Sequence, residues 1–115
     1  MIRLTFFSDP TSSRRTYRGF QMRGHADAGP HGQDLVCCAA STLAIGTVNA
    51  LQEVLGLEGI RVEFEEGKMD VFLSDKEGQS TIPYSNFALE AFHFNMKELA
   101  KEHPESINIQ YRKDL

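Results

Sequence analysis

The chain is expected to fold as an α+β domain in the order β-β-α-β-β-α-β, with two helices packed on a mainly antiparallel sheet. Three observations predict this. Short segments near both ends and in the middle alternate apolar with polar residues, whereas two longer stretches carry apolar residues at helical spacing. Polar, glycine-containing breaks separate them. A length of 115 residues suits one domain, residues 1–115, with a single modest core.

Residues 1–8 place Ile2, Leu4 and Phe6 on one face, as a strand does. Ser8, Asp9 and Pro10 open a polar turn that runs through Ser13. From Arg15 to Arg23, Thr16, Arg18, Phe20 and Met22 alternate with Tyr17, Gly19, Gln21 and Arg23, which predicts a hairpin partner for the first strand. The stretch from Asp27 to Gln33 has no periodicity and reads as a loop. A helix follows from Leu35 to about Leu55, ending at Gly56, with Val36, Ala40, Leu43, Ala44, Thr47, Val48, Leu51, Val54 and Leu55 on its core face. Ile60–Glu65 and Met69–Ser74 read as two strands around Glu66-Gly67-Lys68, and Glu77–Ser80 as a loop. The second helix is predicted over Ser85–Glu102, with a stripe of Ala88, Phe92, Met96, Leu99 and Ala100 and with Pro104 beyond its end. Phe87 and Phe94 fall off that stripe. His93 and His103 are expected to face solvent. Ile107, Ile109 and Tyr111 form the last strand.

Composition narrows the classes of function. The chain is 41% hydrophobic and 24% charged, with a net charge of −4 and a pI near 5.5. Nucleic acid is therefore a poor default partner, while a basic substrate suits an acidic surface. Glu63, Glu65 and Glu66 read as a solvated strand face. No N-terminal signal-like run and no 18-residue apolar span is expected, which points away from a membrane. The two cysteines are adjacent and cannot build a disulfide framework. Free thiols fit a reducing cytoplasm.

The chemistry concentrates between residues 24 and 41. Asp34 is a good N-cap, since its carboxylate can accept from N–H groups of the first helical turn. Cys37 then stands where the helix dipole and unpaired N–H groups favour an anion, and hence a thiolate nucleophile. His25 lies at a strand end twelve residues earlier and is the natural base to pair with it. N–H groups of Cys37 and its neighbours are the expected oxyanion donors. Gly24 permits close backbone approach there or ends the strand, and Ser41 lies one turn after Cys37 on the same face. Asp34 has a second reading, as an orienter of His25. Cys38 points roughly 100° away from Cys37 and reads as packing or redox protection. Asp27, Ala28, Gly29, Pro30, His31 and Gly32 form a candidate substrate loop. A zinc reading of His25, His31, Cys37 and Cys38 fails on spacing, because adjacent cysteines are awkward tetrahedral ligands. No metal and no cofactor is called for.

Gly24-His25-Ala26, Gly32, Asp34, Val36-Cys37, Ala39-Ala40 and Ser41 resemble the signature of the ribosomal-processing cysteine proteases, the Prp family. The resemblance is dense over residues 24–41 and looser elsewhere. It implies a Cys37–His25 dyad, a homodimer, and removal of the N-terminal extension from a large-subunit ribosomal-protein precursor. The implied cut follows aromatic residues and precedes a small one. Cys38 stands where the family usually has alanine, and Pro30 where its loop is usually glycine-rich. Two other readings compete: a non-catalytic ribosome-assembly or binding module of the same fold, and a redox sensor using Cys37 and Cys38.

Overall fold

A computed structural model describes residues 1–11, 15–26, 29 and 34–113. The element order is β1 (Ile2–Ser8), β2 (Tyr17–Arg23), α1 (Leu35–Asn49) with a π-helical continuation (Ala50–Val54), β3 (Arg61–Glu65), β4 (Lys68–Phe72), α2 (Ile82–Glu102) and β5 (Ile107–Arg112). The β-β-α-β-β-α-β order is the one expected. The sheet runs β3-β4-β2-β1-β5. Neighbours are antiparallel except β1 and β5, which pair in parallel; α2 carries the chain from β4 across the sheet to β5.

Ile2, Leu4 and Phe6 pair with Ile107, Ile109 and Tyr111 on β5, while Leu4 and Phe6 also pair with Met22 and Phe20 on β2. Side chains at alternate positions share a face, so these residues form one apolar surface, and both helices cover it. Val36, Ala40, Ala44, Val48 and Leu51 from α1 and its continuation join Leu89, Phe92 and Met96 from α2 in that core. A register shift between Phe7 and Ser8 sets Ser8 opposite Tyr17. Tyr17 is thereby buried with Phe6 and Phe20, although simple alternation puts it on the other face.

Four helical expectations need correction. The first helix reaches Val54 but changes pitch at Ala50. A π-helical turn holds more residues than an α turn, which rotates the remaining side chains, so Val54 is 82% exposed instead of buried. The Leu35–Val54 run has mean hydropathy 1.5 and could cross a membrane by length and composition alone, contrary to the expectation that no such span exists. Leucine, valine, alanine and cysteine make it apolar, with Glu53 its single charge, and one side of it packs on the sheet. The second helix begins at Ile82 rather than Ser85, because Pro83 suits a first helical turn.

His93 is the fourth correction, since it is buried and not solvent-facing. Its stripe on α2 is Ser85, Leu89, Phe92, His93 and Met96. Burial is tolerated because each ring nitrogen meets a phenol: Nδ1 lies 3.4 Å from the Tyr17 hydroxyl and Nε2 2.5 Å from that of Tyr111. His103 is also half-buried, at the C-cap of α2. The second loop is likewise pinned, by a buried Arg18–Glu77 ion pair at 3.4 Å and an Arg18 bond to the Ser74 carbonyl at 2.6 Å.

Burial, with smaller effects from the nearby Lys97 and Arg15 cations, holds the His93 pKa below its ordinary value of 6.5. The unfolded chain therefore takes up this proton first as the pH falls through about 6.5. Stability present above that pH is lost below it, until the folded state is protonated as well. Urea unfolding should show the parent weakening on acidification through this window, and His93→Gln weakening less. Parallel pH profiles for the two proteins would exclude His93 as the source.

Candidate functional site

The site lies where the ends of β1, β2 and β4 meet the start of α1. β2 runs out at Arg23 and delivers Gly24 and His25 to the end of the sheet. Gly24 has φ +86°, a left-handed conformation that suits glycine, and its N–H donates to the Gly67 carbonyl at 2.9 Å. A side chain there would stand 2.4 Å from the Met1 carbonyl oxygen. The close approach that Gly24 permits in this structure is to Met1.

Asp34 caps α1 as expected, its Oδ1 accepting the Cys37 N–H at 3.0 Å. Cys37 is half-buried, and its Sγ lies 4.0 Å from His25 Nδ1. That is the outer range of an N···S hydrogen bond. The cap changes the expected source of oxyanion donors. The Cys37 N–H is committed to Asp34 Oδ1 and the Cys38 N–H to the Asp34 carbonyl at 3.0 Å. The other N–H groups of the first turn, which have no acceptor within the helix, belong to Leu35 and Val36.

His25 and Cys37 line a cleft of about 740 Å³ that also includes Gly24, Asp34, Cys38 and Ser41. Of the candidate substrate loop, Gly29 borders the cleft; Asp27, Ala28, Pro30, His31 and Gly32 lie outside the described residues. Cys38 is exposed at the rim, so the expectation that it packs inside is not met. Among the described residues, no three His, Cys, Asp or Glu side chains gather as metal ligands.

The sequence reading missed the opposite wall. Met22 pairs with Met69, and Met69 with Phe64, so the three form a row across β2, β4 and β3 on the helix-facing side. All three line the cleft, beside Glu65, Glu66, Gly67 and Lys68 of the hairpin turn. Phe64 is 61% exposed because β3 is an edge strand. Alternation identifies the row's common face; only strand order sets the three side by side, with Met69 buried and Phe64 at the open edge.

The cysteine protease Prp family model matches residues 1–108. The Bacillus subtilis (strain 168) ribosomal processing cysteine protease Prp is 42% identical over 48 residues, or 42% of this chain and 43% of that protein, so this alignment spans less than half of the relative. Its Staphylococcus aureus (strain Mu50) namesake is 26% identical over 91 residues, covering 79% of this chain and 83% of the relative. Among solved structures, a Streptococcus mutans protein superposes with TM-score 0.78 at 28% identity, covering 99% of this chain and 96% of that one. The S. aureus Prp protease in complex with a covalently linked product peptide gives TM-score 0.76 at 24% identity, covering 96% and 99%, a likeness of fold. A mixed five-stranded sheet, a cysteine at the start of the first helix and a family match along nearly the whole length lead to one assignment: the chain belongs to the Prp family of cysteine proteases.

Proposed function

We propose that the chain, as one domain, is a cysteine endopeptidase that removes the N-terminal extension of a large-subunit ribosomal protein. The observation that carries this reading is the contact of Cys37 Sγ with His25 Nδ1, 4.0 Å apart in the wall of an open cleft. In the proposed reaction Cys37 attacks the scissile carbonyl and His25 takes the thiol proton. His25 then gives that proton to the leaving amine, and water cleaves the thioester to free Cys37. The first turn of α1 supplies the oxyanion donors, and the Cys37 N–H joins them when the carbonyl oxygen displaces Asp34 Oδ1.

The substrate class draws support from the cleft and the relatives. A solved S. aureus Prp carries a substrate peptide, and an apolar row of Met22, Met69 and Phe64 suits an apolar stretch of chain. Glu65 and Glu66 at the rim suit a basic one. Two free thiols fit a cytoplasmic setting. Phe87 and Phe94 stand 75% and 59% exposed on the outer side of α2, and we assign this side to a homodimer contact.

The test is incubation of the purified protein with the extended ribosomal-protein precursor, followed by mass spectrometry. One cut that releases the extension is expected. A precursor left intact while both thiols are reduced would favour the assembly module, for which the occupied Cys37 N–H is the supporting observation.

A further inference from the structure

We infer that the turn of the β3–β4 hairpin holds the His25 imidazole against Cys37, with Gly67 as the positioning residue; this rests on the dyad reading above. Glu65 and Lys68 are paired, so the turn consists of Glu66 and Gly67. Gly67 has φ +71°, which a tight hairpin turn requires and glycine supplies without strain. Its carbonyl accepts the Gly24 N–H at 2.9 Å, one step beyond the Arg23–Lys68 pair. The residue before His25 is therefore tied to the turn on one side and closed off by the Met1 carbonyl on the other.

The second contact is with the ring itself. A Cβ added to Gly67 would stand 3.1 Å from His25 Nε2, 3.6 Å from Cε1 and 3.8 Å from Cδ2. The imidazole thus rests its Nε2 edge on the bare α-carbon of Gly67, while Nδ1 faces the Cys37 sulfur. Seat and nucleophile lie on opposite sides of one ring. A side chain at position 67 must move that ring by a few tenths of an ångström. Proton transfer needs hydrogen-bond reach, and the Cys37–His25 contact already lies at its outer limit.

The experiment compares Gly67→Ala with Gly56→Ala. Gly56 has nearly the same conformation, φ +66°, but its added Cβ would meet nothing within 4 Å. Both variants carry the same backbone strain, and only one touches His25. The readouts are the pH profile of Cys37 alkylation by iodoacetamide, located by mass spectrometry, and kcat and KM for precursor cleavage. Gly67→Ala should displace the alkylation profile and lower kcat roughly tenfold with KM little changed, while Gly56→Ala matches the parent. Gly67→Asn serves if the alanine variant does not fold, since asparagine enters the left-handed region more readily and still carries a Cβ. A position-67 variant whose profile and kcat superimpose on the parent's would overturn the inference. If the parent cleaves no precursor yet the position-67 profile still moves, the protease reading fails and the positioning role stands.

Discussion

Cys37→Ser should abolish precursor cleavage, with a loss of at least about 10³-fold, because nucleophile and base act as one unit and removing either member forfeits most of the chemistry. Serine has the same shape, but its hydroxyl is a far weaker acid than a thiol and needs a better-placed base. At 4.0 Å from Cys37, His25 is set for a polarizable sulfur rather than a hydroxyl oxygen. His25→Ala should cost about 10²- to 10⁴-fold, the usual range for a general acid–base group. Cys38→Ser should retain cleavage, since Cys38 is exposed at the cleft rim. Initial rates for the three variants on one precursor, with unfolding midpoints measured alongside, check these expectations. Full activity in Cys37→Ser, or activity lost only in Cys38→Ser, would move the nucleophile away from Cys37.

The largest loss of stability is expected for Phe6→Ala, at about 3–5 kcal/mol. Phe6 is fully buried, and its ring touches others from three elements, β2, α2 and β5. Centroids lie 5.1 Å from Tyr17, 5.7 Å from Phe92, 5.0 Å from His93 and 6.3 Å from Tyr111. Removing it leaves a cavity that cannot readily close, because β2 and β5 are hydrogen-bonded to β1 on either side and α2 packs above. Domains of this kind are stable by only about 5–15 kcal/mol, so the variant should unfold at much lower urea. Phe64→Ala is the comparison, since an equally large ring that is 61% exposed should cost far less. Equal losses would mean that the aromatic cluster does not anchor the core.

The sequence carries the element order and the candidate nucleophile. Local physics suffices for both: apolar periodicity marks strands and helices, and an aspartate three residues before a cysteine at a helix start marks a capped N-terminus. The aspartate's other consequence was also local but went unread, for a carboxylate that caps the helix occupies the very N–H expected to hold an oxyanion. Near Ala50 the periodicity misled, because a change of helical pitch leaves composition untouched while turning Val54 outward.

Other features depend on residues far apart in the chain. His93 looked like an exposed histidine, since its burial requires phenols from Tyr17 on β2 and Tyr111 on β5, which no spacing reveals. The same holds for the second wall of the cleft. Met22, Met69 and Phe64 become one surface only because β2, β4 and β3 are neighbours, and Gly67 meets His25 only because the hairpin closes beside the end of β2. Sequence by itself determined which residues are chemically able to act, since reactivity and helix capping are local properties. Tertiary structure decided which of them meet, and how tightly, because strand order and helix placement are set by burying one common apolar face.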